Sequence, residues 1–133
     1  MHLLMHLTAA DGAPLTSEHL AECLRTNPVV IRRALADLRR AALVISSRGH
    51  GGGWTLARPA GEVTLQEVYA ALGVRLFSPP QAESPGCGLE AAVNRALTGV
   101  YEEMEARLAD RLQEITLADL TRDVVTRPCR STT

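Results

Sequence analysis

The sequence contains no lysine, so every one of its fourteen basic residues is an arginine. GC-rich coding DNA produces that bias, but arginine also suits bidentate contacts to phosphate and guanine. Aromatic residues are almost as scarce, with Trp54, Tyr69, Phe77 and Tyr101 making up the whole set. The core must then come from Leu, Val and Ala, a mixture that favours helices. Cys23, Cys87 and Cys129 lie far apart with no C-x-x-C spacing, which argues against a disulfide framework or a zinc ribbon. No apolar run approaches the ~20 residues of a membrane span. The first ten residues also lack the basic region and cleavage site of a signal peptide. The expectation is a cytoplasmic protein with no membrane partner.

Acids are missing from one stretch in particular. Between Arg25 and Arg58 seven arginines stand against the single acid Asp37, whereas from Gly61 onward seven arginines face eleven acids. The net charge of −1 therefore hides a basic patch in the first half. A length of 133 residues allows one domain, or one small domain with an added oligomerisation element.

Along the chain, HLLMHLTAA is apolar at Leu3, Leu4 and Leu7 and reads as the end of a helix whose start lies before Met1. Asp11 to Pro14 is a turn by composition. Thr16 or Ser17 caps a second helix, SEHLAECL, whose Leu20 and Leu24 share one face with Cys23, a small core thiol. At Arg25-Thr26-Asn27-Pro28 a third helix begins, because asparagine is a good cap and proline is preorganised for the first helical position. It continues as PVVIRRALADLRRAALV, with Ile31, Ala34, Leu35, Leu38 and Ala42 inward and Val29, Arg32, Arg33, Ala36 and Arg40 outward. Two helices joined by a short turn, the second carrying unmatched arginines, form a helix-turn-helix arrangement.

After Leu43 the period changes to that of a strand. LVISS and GWTLAR flank RGHGG and read as a hairpin with Trp54 packing at its base. Such a hairpin is a wing, whose glycine-rich tip lies against a phosphate backbone while Arg48 enters the narrow minor groove. A nucleotide-binding loop is a poor rival, since the spacing and the Lys-Ser/Thr ending of a P-loop are absent.

The second half supplies a dimer element. Thr64 with Glu67 forms a capping box, and Thr116 with Asp119 repeats the pattern. Between them Pro79, Pro80 and Pro85 mark a loop. From Gly88 the apolar positions Leu89, Val93, Leu97, Val100, Met104 and Leu108, then Leu112 and Ile115, recur at steps of three or four. They define a helix of about 27 residues, roughly 40 Å long. A single winged domain does not need that length, so a partner chain covers part of the stripe. Enzyme chemistry finds no support: His2 and His6 are one turn apart, but the glutamate of H-E-x-x-H is absent.

The residues Asn27 to Val30, Leu38 to Val44, RGHGGGW at 48–54 and Leu56 to Pro59 resemble the Rrf2 family of bacterial winged-helix transcription regulators. The resemblance covers nearly the whole chain. It implies a mainly α fold with a small β-hairpin wing and a long C-terminal dimerisation helix. It further implies a homodimeric, sequence-specific DNA-binding regulator, a repressor acting on a palindromic operator. By position, Asn27, Val29, Val30, Arg32 and Arg33 inherit the major-groove role and Arg48 the minor-groove role. Ser17, His50, Gly51 and Gly52 complete the expected DNA-contacting set. The expected divisions are a DNA-binding domain over 1–78, a loop over 79–88, the dimer helix and a short final helix over 89–125, and a disordered tail over 126–133.

The chain departs from the family pattern at His50, where proline is common, and at Ala42, where glycine is common; the latter is expected to cost little if that helix end needs no left-handed residue. Cluster-bearing relatives place three close cysteines between wing and long helix, whereas FSPPQAESPGCGLE holds only Cys87. The resemblance therefore points to the branch without a cluster, with no cofactor and no metal. Cys87, at the start of the long helix, is the candidate redox sensor, with an oxidant or a small molecule as effector. The alternative function is a winged-helix protein-interaction module without specific DNA binding.

Overall fold

A computed structural model describes residues 1–75 and 86–122 of the chain. Most of the expected loop and all of the expected tail lie outside the described residues. The element order is α1 (His2–Ala9), α2 (Ser17–Leu24), α3 (Pro28–Arg40), β1 (Val44–Ser47), β2 (Gly53–Leu56), a 3-10 turn (Ala60–Glu62), α4 (Leu65–Leu72), α5 (Gly88–Gln113) and α6 (Leu117–Arg122). The fold is the expected one: mostly helical, with a two-stranded antiparallel hairpin and a long C-terminal helix. No described helix is long and apolar enough to cross a membrane.

Local chemistry sets the helix starts. The Thr16 side chain accepts from the His19 N–H at 3.1 Å, and Asn27 Oδ1 accepts from the Val29 N–H at 2.8 Å. Pro28 then opens α3 without a backbone donor to satisfy. Both Thr-Leu-x-acid segments are reciprocal caps: Glu67 accepts from the Thr64 N–H and Asp119 from the Thr116 N–H, each at 2.9 Å. Those backbone donors are the first reason both carboxyls lie below their ordinary pKa.

The two caps also meet each other. Thr64 and Thr116 form an antiparallel bridge, in which Leu65 N–H donates to Ile115 O at 2.9 Å and Leu117 N–H to Val63 O at 3.0 Å. Leu117 is thereby fully buried, as a member of the core cluster that also holds Leu3, Leu4, Leu7 and Val63. The last helix of the described chain thus packs on the first and closes the N-terminal core.

The end of α3 differs from expectation. Ala42 is exposed rather than part of the inward stripe, and its φ is 57°, in the left-handed region. Leu43 N–H donates to Leu38 O at 3.0 Å and Ala42 N–H to Arg39 O at 2.9 Å, the Schellman pattern that favours glycine at this position. The same turn closes α4 with Gly73 at φ 61°. This helix end does need a left-handed residue, so the condition for little cost is not met and the alanine is strained. Ala42→Gly is expected to stabilise the fold by about 1 kcal/mol, read as a raised denaturation midpoint; an unchanged or lowered midpoint would contradict the strain.

Candidate nucleic-acid interface

The turn between α2 and α3 is built from Arg25, Thr26 and Asn27. Arg25 takes a left-handed φ of 51°, and the Thr26 N–H donates back to Ala21 O at 2.9 Å. The chain leaves α2 sharply and re-enters helix at Pro28. Ile31, Leu35 and Leu38 then bury one face of α3, so its other face presents Val29, Val30, Arg32, Arg33, Ala36, Arg39 and Arg40 to solvent. Asn27 is exposed, and its side-chain oxygen is taken by the helix cap.

Charge on this face is less uniform than the sequence suggests. Arg32 donates to Glu18 of α2 at 2.5 Å, and Arg40 pairs with Asp37 one turn before it. Glu18 is held below its ordinary pKa first by its own backbone N–H and then by Arg32, so it remains a charged partner. With both groups more than half exposed, this pair adds little stability, but it ties Arg32 to α2. Among the described residues, Arg25, Arg33, Arg39 and Arg48 have no acid within ion-pair distance. Arg25 and Arg39 were not among the contacts expected from sequence, although both belong to the acid-poor stretch.

The hairpin answers why the tip is so rich in glycine. β1 and β2 pair Val44 with Leu56 through Ser47 with Gly53. Gly49 and Gly51 turn the tip at φ 97° and 78°. A Cβ on Gly53 would sit 2.8 Å from the Leu15 carbonyl oxygen, because Leu15 forms a two-bond bridge with Trp54 on the outer edge of β2. Arg48, His50 and Gly51 are exposed at the tip and Gly52 is half-buried. Trp54 packs at the hairpin base as expected, and its indole N–H donates to Ser17 Oγ at 3.2 Å. Ser17 is only 7% exposed, so its hydroxyl faces the domain; this corrects the expectation of a contact from its side chain.

α5 contributes no buried residue, and Leu89, Val93, Leu97, Val100 and Met104 are 40–77% exposed. Leu108 departs from this stripe: it is half-buried and lines a groove of about 520 Å³ against α4, with Tyr69, Arg75, Glu102 and Glu105. Leu112 and Ile115 pack on the core of their own chain. Cys87 is a free, exposed thiol at the N-cap of α5. Cys23, 3.6 Å from the His19 ring, is disulfide-bonded rather than the free core thiol expected.

Residues 1–123 match the family model described as "Rrf2: Iron-dependent Transcriptional regulator". A protein of Mycobacterium tuberculosis strain H37Rv, named as an HTH-type transcriptional regulator, is 33% identical over 117 residues, covering 85% of this chain and 70% of that protein. The HTH-type transcriptional regulator IscR of Cereibacter sphaeroides is 29% identical over 100 residues, covering 74% of this chain and 64% of the relative. Among solved structures, IscR of T. potens is similar at a TM-score of 0.67 with 24% identity, covering 91% of this chain and 79% of the other. CymR of Staphylococcus aureus gives 0.67 at 24% identity, covering 94% and 93%. The iron of the family description finds no ligand set among the described residues. Iron–sulfur clusters are held by several thiolates, Cys87 is the only cysteine between the wing and α5, and the described residues contain no group of three or more metal-ligating side chains.

Proposed function

The chain belongs to the Rrf2 family of transcriptional regulators, and from that premise we propose that it is a homodimeric repressor bound to an inverted-repeat operator. One observation carries the reading: on the exposed face of α3 and the glycine-built hairpin, Arg33, Arg39 and Arg48 have no acid partner among the described residues. In this reading Val29, Val30 and Arg33 enter the major groove, with Asn27 and Arg25 at its edge, and the wing places Arg48 in the minor groove with His50, Gly51 and Gly52 along the backbone. Arg32, engaged by Glu18, positions the two helices relative to each other. The exposed stripe of α5 joins two copies, so that their α3 helices meet half-sites about 34 Å apart. The protein works in the cytoplasm, where its operator is.

Arg48→Ala is expected to weaken binding to an operator selected from random duplexes by about 1–3 kcal/mol and to relax its preference for a narrow minor groove. Unchanged affinity and preference, measured by fluorescence anisotropy, would remove the wing from the interface.

Regulation in this reading acts through Cys87, two residues from Leu89 on the exposed stripe. The thiolate sulfur attacks one peroxide oxygen, the O–O bond breaks to release hydroxide and leave a sulfenic acid, and the altered helix end changes the spacing of the two α3 helices. Peroxide is expected to change operator affinity in the native protein and leave Cys87→Ser unaffected. Equal affinity before and after oxidation would leave Cys87 without a regulatory role and point to a small-molecule effector in the α4–α5 groove.

A further inference from the structure

The first turn of α3 has a composition that neither helix stability nor packing explains. Val29 and Val30 are 63% and 58% exposed while Ile31, the next residue, is 3% exposed. Both valines are β-branched, which lowers helix propensity, and neither contributes to the core. Helix starts favour acids, and α2, α4, α5 and α6 place Glu18, Glu67, Glu90 and Asp119 in their first turns. α3 has no acid there. The position thus trades a stabilising charge for two rigid, exposed apolar side chains, flanked by Arg25 before them and Arg33 one turn on.

Valine has no donor or acceptor for a base edge. The apolar feature that DNA offers in the major groove is the C5-methyl group of thymine. The surrounding arginines match a polyanion and do not suit an apolar protein partner. We infer that Val29 and Val30 select thymine in each operator half-site by packing on its C5-methyl group. This rests on the proposed function and deepens it, since that reading places the valines in the groove without saying which base they read. Their branched side chains have little rotamer freedom to lose on contact, which favours a fixed methyl-on-methyl fit.

The test starts from an operator selected out of random duplexes by the full-length protein. Each half-site thymine is replaced in turn by deoxyuridine, which removes the methyl and keeps every hydrogen-bonding edge. At one or two positions per half-site the native protein is expected to lose about fourfold in affinity per methyl. The double variant Val29→Ala, Val30→Ala is expected to bind the thymine and deoxyuridine operators equally. Both sites are exposed and alanine is the better helix former, so this variant should fold, which its thermal midpoint verifies. Indifference of the native protein to every deoxyuridine would overturn the inference while leaving the DNA reading intact. So would an undiminished deoxyuridine effect in the double variant, or a gain from 5-methylcytosine with no loss at any thymine. Failure of the native protein to select any sequence would instead overturn the proposed function, and the inference with it.

Discussion

Glutamate in place of Leu97 is expected to leave the chain monomeric and to lower operator affinity by roughly two to four orders of magnitude, the avidity that disappears when two half-sites are no longer bound together. The stripe Leu89, Val93, Leu97, Val100 and Met104 repeats in steps of four, four, three and four, so Val93–Val100 and Leu97–Met104 are each a heptad apart. Within one chain all five remain at least 40% exposed. An apolar row along a 26-residue helix is best satisfied by a second copy of the same row, related by a two-fold axis. That symmetry places the Leu97 substitution in the interface twice, burying two unpaired carboxylates. Leu97 lies outside the core, so the monomer should keep its helix content. Sedimentation velocity on the native protein should give twice the mass of one chain, and on the variant the mass of one. A variant that remains dimeric would place the interface elsewhere.

Leu117→Ala is expected to destabilise the fold by about 2–5 kcal/mol, the usual cost of emptying a fully buried leucine site. The residue lies far along the chain, yet it is completely enclosed and holds α6 against α1. Its backbone N–H also completes the bridge to Val63, so the side chain and the bridge hold each other in place. Because a domain of this size has only about 5–15 kcal/mol to lose, the substitution should remove a large share of its stability. It should also loosen the C-terminal end of α5, whose position depends on the return of the chain into the core. Urea denaturation followed by helix ellipticity measures the change. A loss below about 1 kcal/mol would mean that α6 docks without contributing to the fold.

Local chemistry made much of this legible from the sequence. Asn27-Pro28 marks a helix start by cap and fixed φ, RGHGGG marks a tight hairpin, and the two Thr-Leu-x-acid segments mark caps. In each case the determining interaction lies within a few residues. The features that escaped depend on distant partners. Glu18 neutralises Arg32 from 14 residues away, and Trp54 turns Ser17 inward from 37 away. Neither pairing leaves a periodic signal. Leu117 reads locally as the opening of a separate short helix, and only the bridge between the two caps reveals it as a core residue. Ala42 misled for a different reason: a helix-compatible residue continued the apolar spacing, while Leu43 had to turn back toward the core and forced a left-handed residue between them. Leu108 continues the α5 spacing too, but the approach of α4 at that level takes it out of the exposed stripe.

That the α3 face and the hairpin together form a DNA interface is tested most directly by operator affinity as a function of salt, for the native protein and for variants of single arginines. The expected result is a steep linear fall of log affinity with log salt, from counterions released by bound phosphates. Arg39→Ala should reduce the slope by about one unit in each half-site if Arg39 meets a phosphate there. Arg107→Ala, whose arginine pairs with Glu103 on α5, should leave the slope unchanged. An affinity that is flat in salt, or a slope insensitive to Arg33, Arg39 and Arg48 alike, would contradict the assignment of this face to DNA.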